Sequence, residues 1–578
     1  MNRGAPVGCA SGRLLAAAPD PHIPFDRANV PEPLSDMNSP KSAPWLACAL
    51  ALSVLACGET GPRRGGTVVI AAGSDLDFAN PLVSVDNWTN EVLRYALFTP
   101  LIEYGPDLSF QPGLAESWEL EGDTAVVFRL RRDVRWHDGR STTAHDVLFT
   151  YQRAQDPATA FPNAAYFSHW TGGEVVDSYT VRFTFEPHAD PLAGWPFTPP
   201  APRHLLDTVP PEQLRQTPFN AAPVGNGPFR FVSRRANDRW VFEANPDYPA
   251  GLGGPPLVDR LVWRIVPDNA AQVTELRVGE VDLALQPRPD QARELAARAG
   301  IRAVYKPSRR FTFVAWNGLR APLDDPRVRR ALALAIDRGE ILQGLRDGLG
   351  EPGVGPVMPF HWAWNDALEP LPFDPDSARV LLAAAGIRDA DEDGTLDLPD
   401  GQPFAVELKL PASNDYLRDV GEAIRNDLAA VGVQATSRPV ELNTLYGDVT
   451  SPERRFDAAL LGWTGDFRLD LWDIFHSEAM DGIYQLSSFA DPEVDSLLDA
   501  AGREVDRAQA APAWRRIQEI LLEKQPWTVI YYETEALLAR DRVQNLSMDI
   551  RGALVNVADW WIETTPSGDD EAASPVTR

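Results

Sequence analysis

A nearly continuous apolar run over residues 456–463 restricts the fold more than any other stretch of this sequence. Charged residues precede the run and a Thr464-Gly465 turn follows it, so its length fits a strand. A strand that is apolar on both faces is typical of an α/β sheet with helices on both sides. The pattern leaves a buried helical segment open as the alternative.

Asp466 comes directly after this predicted strand and its Trp463-Thr464-Gly465 end. In open α/β sheets, ligands bind beyond the carboxyl ends of the strands. Trp463 and Asp466 would therefore offer an aromatic face and a negative charge to a ligand with a positive end. The alternative is that Asp466 bonds its own turn backbone and Trp463 belongs to the core.

The chain has 578 residues, too many for one hydrophobic core, so two or three domains are expected. Its net charge of −28 repels phosphate backbones, which argues against nucleic acid as a partner. The same charge disfavours anionic membrane surfaces unless the protein is tethered to them.

All three cysteines, Cys9, Cys48 and Cys57, lie in the first 57 residues, so the rest of the chain has no disulfide framework. An apolar stretch after Lys41 is typical of a secretory signal and is too short to span a membrane. Val54-Leu-Ala-Cys57 resembles a bacterial lipobox, which implies cleavage before Cys57 and lipidation of its thiol. An ordinary signal peptide is the alternative. We interpret residues 1–36 as an upstream misread start, 37–56 as the signal peptide and 57–65 as a tether.

Several sequence blocks follow one another in a set order along the chain. They are Pro112-Gly-Leu-Ala-Glu-Ser-Trp118, Val134-Arg-Trp-His-Asp-Gly139, Pro223-Val-Gly-Asn-Gly-Pro-Phe229, Leu276-Arg-Val-Gly-Glu-Val-Asp-Leu283, Pro322-Leu-Asp-Asp-Pro-Arg-Val-Arg-Arg-Ala-Leu332 and Asp374-Pro-Asp-Ser-Ala-Arg379. Together they resemble family 5 extracellular solute-binding proteins, the peptide-binding receptors of ABC importers. Local signals agree, with a turn at Asp138-Gly139 and helix starts near Thr143, Asp325 and Asp374.

The resemblance implies an α/β fold of the periplasmic-binding-protein type, class II, with two lobes around a cleft and an additional domain inserted in the first lobe. The implied borders are 66–100, 222–310 and 545–565 for lobe one, 101–221 for the additional domain and 311–544 for lobe two. Residues 566–578 are acidic and small, which predicts a disordered tail.

The resemblance also implies binding residues. Dipeptide- and oligopeptide-binding members hold the α-amino group of the peptide with an aspartate in the pattern that Trp463-Thr464-Gly465-Asp466 matches. Arg418 is a possible substitute for the arginine that holds the carboxylate in dipeptide binders. Asn87, Trp88, Trp316 and Asn317 fall in segments that line the cleft in relatives, with buried packing as the alternative for the tryptophans.

An acidic loop at residues 389–400 has the spacing of a calcium-binding loop. Asp389, Asp391, Asp393 and Asp397 occupy its positions 1, 3, 5 and 9, and Asp400 occupies position 12. This spacing predicts a structural Ca²⁺ site, with a solvated acidic loop as the alternative. No other cofactor is expected.

The sequence therefore predicts a monomeric, lipid-anchored extracytoplasmic receptor that captures a peptide and presents it to the transmembrane subunits of an ABC permease. No nucleophile–base pair or metal triad is visible in the sequence, so a surface peptidase is the weaker hypothesis and no catalytic residue is assigned. A signalling receptor remains open, as does a non-peptide solute such as a nickel chelate, a sugar or an opine.

Overall fold

The computed structural model describes residues 64–563 of the chain. The predicted lipidation site Cys57, the segments 1–36 and 37–56, most of the tether 57–65 and the tail 566–578 lie outside the described residues. Between residues 64 and 563, no helix combines the length and the apolar character needed to cross a membrane.

Strands and helices alternate along most of the described chain. Its strands are β1 (Thr67–Ala72), β2 (Ile102–Tyr104), β3 (Phe110–Pro112), β4 (Ala115–Leu120), β5 (Ala125–Leu130), β6 (Trp170–Asp177), β7 (Thr180–Phe185), β8 (Phe229–Arg235), β9 (Arg239–Ala244), β10 (Arg260–Ile265), β11 (Leu283–Leu285), β12 (Ile301–Trp316), β13 (Gly350–Pro352), β14 (Ala405–Pro411), β15 (Gln434–Val440), β16 (Ala458–Thr464), β17 (Trp527–Arg540), β18 (Val543–Gln544) and β19 (Trp561–Ile562). Its α-helices are α1 (Asn87–Val92), α2 (Ala144–Gln155), α3 (Arg203–Leu206), α4 (Asn269–Val278), α5 (Pro289–Ala296), α6 (Pro326–Leu334), α7 (Arg338–Arg346), α8 (Pro375–Ala384), α9 (Asp415–Ala430), α10 (Leu442–Thr450), α11 (Trp472–Phe475), α12 (Pro492–Arg503) and α13 (Arg507–Lys524).

One sheet of eleven described strands runs through both lobes, in the order β15-β14-β16-β12-β17-β11-β1-β10-β9-β8, with β13 beside β17. Its two long central strands, β12 and β17, are antiparallel and belong to both lobes. The first half of β12 pairs with the last residues of β17 in lobe one, while its second half pairs with β16 in lobe two. A register shift between Pro307 and Phe311 marks the point where β12 crosses from one lobe to the other.

The return crossing in β17 lies earlier than the sequence suggested. Leu537 to Ala539 already pair with β11 of lobe one, so the predicted border at residue 544 is too far along the chain. The physical reason is that the chain changes lobes inside a continuous strand. Such a crossing leaves no break in amino-acid composition. It is marked only by Thr534 and Glu535, which are half-buried between buried residues of the strand.

β16 is the buried strand that the apolar run predicts, and the helical alternative is excluded. Ala458 to Leu461 are buried, and the strand lies between parallel β14 and antiparallel β12. Because both neighbours are strands of the central sheet and helices cover both faces, the run is apolar on both sides. Its carboxyl end points toward the crossing region, since Thr464 lies opposite Arg310.

The predicted helix starts are confirmed by their caps. Thr143 and Asp146 form a capping box at α2, and the Asp325 side chain accepts a hydrogen bond from the backbone of Arg327 at the start of α6. Asp374 caps α8 in the same way through the backbone of Ser377. Gly386 follows the end of α8 with φ of +87°, a conformation that glycine adopts without strain.

Within the predicted inserted domain, 101–221, the residues from Leu101 to Trp195 supply a separate core. A four-stranded sheet in the order β4-β5-β7-β6 carries α2 on one face. Phe128, Phe183 and Trp195 pack together between them with ring centroids 5.3 to 6.4 Å apart. This core is separate from those of the two lobes. Trp136, Phe149 and the buried apolar residues of 201–219 pack instead in the core of lobe one, so only part of the predicted domain is a packing unit of its own.

Candidate ligand-binding site

A cavity of about 420 Å³ lies where the crossing strands join the lobes. Its size falls in the range of small-molecule sites, about 300–1,000 Å³. Lobe one contributes residues around α1, and the inserted domain contributes residues around Tyr166. The crossing strands contribute residues 306, 308–310 and 535, and lobe two contributes Thr464, Asp466 and Arg468. The cavity is therefore lined by lobe one, lobe two, the inserted domain and the crossing strands.

The Asp466 turn, residues 464–466, is held tightly at the end of β16. The backbone N–H of Gly465 donates to the carbonyl of Arg309 at 2.7 Å, and the Arg309 guanidinium donates to the carbonyl of Gly465 at 3.2 Å. His361 Nε2 lies 2.7 Å from the carbonyl of Asp466. A Cβ atom on Gly465 would lie 2.9 Å from Met358 Sδ, so a larger residue at this position would displace the Met358 side chain.

The Asp466 carboxylate bonds through one of its two oxygens. Oδ1 accepts hydrogen bonds from the Tyr166 hydroxyl and from the backbone N–H of Phe467, the latter at 2.6 Å. Oδ2 accepts none within the described chain. The bond from Phe467 is the one expected if Asp466 served only to bond its own turn backbone. The Asp466 side chain is nevertheless exposed and also lines the cavity, where its Oδ2 is available to a ligand. Burial and the nearby Asp466 charge raise the pKa of Tyr166, so its hydroxyl stays a neutral donor.

Phe467 fixes the far side of the turn. Its ring stacks on Phe197 of the inserted domain at 5.4 Å and contacts Tyr104 at 5.3 Å and Phe360 at 5.6 Å. Arg468 donates to the carbonyl of Ala165 at 3.1 Å. These contacts pack the Asp466 turn against the inserted domain and position Asp466 at the wall of the cavity.

Asn87 and Trp88 also line the cavity, on the lobe one side. Asp86 caps α1 by accepting from the backbone of Thr89 at 2.8 Å, so these two residues form the first turn of a helix. The Trp88 ring packs against Trp263 of β10 with centroids 6.0 Å apart. Helix geometry and this ring contact together hold both side chains at the cleft.

Trp316 and Asn317 do not reach the cavity, in contrast to the prediction. Trp316 is fully buried and its Nε1 donates to Thr528 Oγ1 at 2.8 Å. Asn317 donates to the carbonyls of Arg454 and Phe456 at 3.0 and 2.7 Å. The reason is strand length, because Trp316 lies six residues beyond Arg310, which is ~20 Å along an extended strand.

Two further predicted residues lie elsewhere. Trp463 packs inward against Trp527 and Tyr484, at 5.4 and 6.0 Å, because successive side chains of a strand point to opposite faces and Thr464 takes the cavity side. Arg418 is exposed on α9, where it pairs with Asp415, and it is not among the cavity residues. The prediction of a carboxylate-binding role for Arg418 is corrected accordingly.

The charged residues of the crossing strands escaped the sequence analysis. Lys306 Nζ lies 2.8 Å from Glu535, and Arg310 lies 3.3 Å from Glu533 and 3.6 Å from Glu535. Burial alone would raise the pKa of Glu535, but Lys306 and Arg310 lower it to about 2. The signal for them in the sequence was the cluster of basic residues at 306–310 in the middle of β12.

The predicted calcium loop brings part of its acids together. Carboxylate oxygens of Asp389, Asp391 and Asp397 lie within 4.8 Å of one another. Asp393 Oδ1 accepts instead from the backbone of Thr395 at 2.7 Å, and Asp400 accepts from the backbone of Gln402 at 3.1 Å. Three oxygens are fewer than the six to eight that Ca²⁺ takes, so calcium binding stays a prediction.

Two lobes joined by a pair of crossing strands, with a polar cavity at the crossing, are the architecture of a solute-binding protein. The model of the bacterial extracellular solute-binding proteins, family 5, matches residues 109–476, and the chain belongs to this family.

Relatives of known name support the assignment. The chain is 27% identical to oligopeptide-binding protein AppA of Bacillus subtilis over 507 residues, 87% of this chain and 92% of that protein. It is 28% identical to a dipeptide-binding protein of Pseudomonas aeruginosa over 533 residues, 85% of this chain and 93% of that protein. The structure of AppA in complex with a nonapeptide superposes with a TM-score of 0.70 at 26% identity, over 87% of this chain and all of that one.

Proposed function

We propose that this protein captures peptides in the cavity between its lobes and delivers them to the transmembrane subunits of an ABC permease. The observation that carries the proposal is the Asp466 turn, which holds a carboxylate with a spare oxygen at the cavity wall. A peptide α-ammonium that leaves water needs such a partner, because burying an unpaired charge costs several kcal/mol. The peptide-binding relatives agree with this assignment.

The mechanism is a shift in a hinge equilibrium rather than a chemical reaction. β12 and β17 connect the lobes, and we place the hinge at the register shift between these two strands near the crossing. A ligand that touches lobe one, lobe two and the inserted domain at once stabilises the closed form over the open one. No residue is assigned a catalytic role, and the protein is proposed to act as a monomer.

The ligand class is tested by two measurements on the purified protein. Mass spectrometry of the protein released from cells identifies the bound solute directly. Calorimetric titration with trialanine, with nickel–histidine and with a simple sugar then ranks the candidates. Tight binding of trialanine supports the proposal. Binding of nickel–histidine alone, the ligand in the complex of NikZ from Campylobacter jejuni, assigns the same scaffold to metal uptake.

We also propose that the protein is held to a bacterial membrane by lipid on Cys57, which lies outside the described residues. Cys57→Ser removes the thiol that would carry the lipid, so the variant should move from the membrane fraction to the soluble fraction. Cys48→Ser, in the preceding apolar stretch, is the matched control and should leave the protein at the membrane. A Cys57→Ser protein that stays membrane-bound contradicts the lipid anchor.

A further inference from the structure

The inserted domain also contacts lobe two at a place away from the cavity, around Asp190. Arg507, the first residue of α13, donates through Nε to Asp190 Oδ1 at 2.5 Å, and Trp362 Nε1 donates to Asp190 Oδ2 at 3.3 Å. Beside this contact, the backbone N–H of Ala189 donates to the carbonyl of Gly502 at 2.9 Å. Both carboxylate oxygens of Asp190 are therefore bonded by lobe two.

The contact at Asp190 is shielded from water. Asp190 is 6% exposed. The Arg507 guanidinium lies 5.4 Å from the centre of the Trp362 ring and 5.6 Å from the centre of the Phe110 ring, which belongs to β3 of the inserted domain. Removing one partner of a buried ion pair is strongly destabilising, because it leaves the other charge buried without compensation. The arrangement in which the inserted domain meets lobe two therefore depends on both Asp190 and Arg507.

The two sides of this contact belong to different lobes. α2 places Tyr151 in the core of the inserted domain and Phe149 in the core of lobe one, which fixes the inserted domain on lobe one. Arg507 belongs to lobe two, because α13 packs Trp514 into a core of that lobe. A rotation of lobe two about the crossing strands β12 and β17 would therefore separate Arg507 from Asp190.

We propose that Asp190, Arg507 and Trp362 form a latch that stabilises the closed arrangement of the lobes and so raises the affinity for the solute without touching it. The closed arrangement is the one in which the inserted domain meets lobe two. This inference rests on the proposed function in taking capture to be a hinge movement. Within the described chain, none of the three residues lines the cavity. The latch therefore changes the affinity for every solute by the same factor, through the fraction of protein in the closed form.

The first test is calorimetric and stopped-flow titration of the full protein with trialanine and with trialanine amide. Arg507→Gln leaves Asp190 buried without its counter-charge in the closed form, whereas water hydrates it in the open form. Both ligands should therefore bind at least about 10-fold more weakly, chiefly through faster dissociation, and the ratio of their affinities should stay that of the wild type.

Asp190→Asn removes the other charge of the pair and should also lower both affinities. Asparagine tolerates the φ of +51° at position 190, so this variant keeps the local backbone. The double variant Asp190→Asn with Arg507→Gln should bind little more weakly than the weaker single variant, since the two changes affect one contact.

Arg516→Gln is the matched control on the same helix. Arg516 lies on α13 and pairs with Glu493 of α12 at 2.8 Å, within lobe two, so its loss should leave both affinities unchanged. A change in the ratio of the two affinities in Arg507→Gln would mean that Arg507 acts on the ligand itself, which overturns the latch.

A cross-link across the contact tests whether it opens. Ala189→Cys and Gly502→Cys, joined by a short reducible cross-linker, tie the inserted domain to lobe two. A Cβ on Gly502 would meet no atom of another element within 4 Å, so a larger residue fits there. The cross-linked protein should exchange trialanine at least about 10-fold more slowly than the same protein after reduction, because lobe opening gates entry and release. Equal exchange rates overturn the latch.

The outcomes separate the latch from the proposed function. If Arg507→Gln binds both ligands as tightly as the wild type, the latch is overturned and peptide capture stands. If the wild type binds no peptide, peptide capture is overturned, and small-angle X-ray scattering of the ligand-free protein decides on the latch. Arg507→Gln should then be more open on average than the cross-linked protein, and identical scattering curves overturn the latch as well.

Discussion

The hydroxyl of Tyr166 in the inserted domain donates a hydrogen bond to the carboxylate of Asp466 in lobe two, across 300 residues of sequence. Both side chains line the cavity. The contact joins the residue that we propose to bind the ligand to the inserted domain. A change at Asp466 therefore acts directly on Tyr166.

Tyr166→Phe removes this bond and keeps the ring that stacks on Phe197. A hydrogen bond to a charged group contributes about 1.5–3 kcal/mol, so the affinity for trialanine should fall ~10- to 100-fold. Small-angle X-ray scattering of the trialanine-loaded variant should show a more open average form. Tyr179→Phe on the outer sheet of the same domain is the control, and equal affinity of both variants and the wild type contradicts the link.

Asp466→Ala should weaken trialanine binding by two to three or more decades, because losing one partner of a buried pair costs about 3–5 kcal/mol. N-acetylation of trialanine should weaken wild-type binding comparably and change the variant little, since the two changes affect one contact. Calorimetry of both proteins with both peptides measures the coupling. Wild-type protein that binds the acetylated peptide as tightly as the free one does not use Asp466 for an amino group.

Glu103→Gln should make the protein more stable in mildly basic solution. Burial raises the pKa of Glu103 from 4.5 to about 7, although Arg551 and Arg94 oppose the shift. The folded state therefore binds the proton more tightly than the unfolded state, and stability is lost as the pH rises from about 4.5 to 7. The loss is on the order of 3 kcal/mol.

Thermal unfolding between pH 4 and pH 8 measures this effect. The stability that the wild type gains at low pH relative to high pH should be smaller in Glu103→Gln. It should be unchanged in Glu116→Gln, which alters an exposed position on β4. Parallel stability curves for the wild type and Glu103→Gln would mean that Glu103 ionises normally in the fold.

Chelation tests the acidic loop. If Asp389, Asp391 and Asp397 hold Ca²⁺, EGTA should lower the melting temperature, because the clustered carboxylates then repel one another. Asp391→Ala should remove this sensitivity, while Asp400→Ala should keep it, since Asp400 bonds to the backbone of Gln402 instead. Identical melting curves of the wild type with and without EGTA leave only a solvated acidic loop.

The sequence alone predicted most of the local structure. The apolar run of β16, the capping residues Thr143, Asp325 and Asp374, and the glycine after α8 all appear as expected. These features depend on the hydrophobicity and backbone preferences of a few neighbouring residues, which the sequence displays directly. The two-lobed fold followed from the family resemblance.

The tertiary structure decided which side chains meet. Nothing near Arg94 or Tyr166 in the sequence marks them as neighbours of the Asp466 turn, and Trp316 lost its predicted place because strand length carries it away from the crossing. Contacts of this kind arise from the packing of whole elements that are hundreds of residues apart. The sequence by itself therefore determined the elements and the acid at the end of β16, whereas the cavity exists only once the lobes and the inserted domain are packed together.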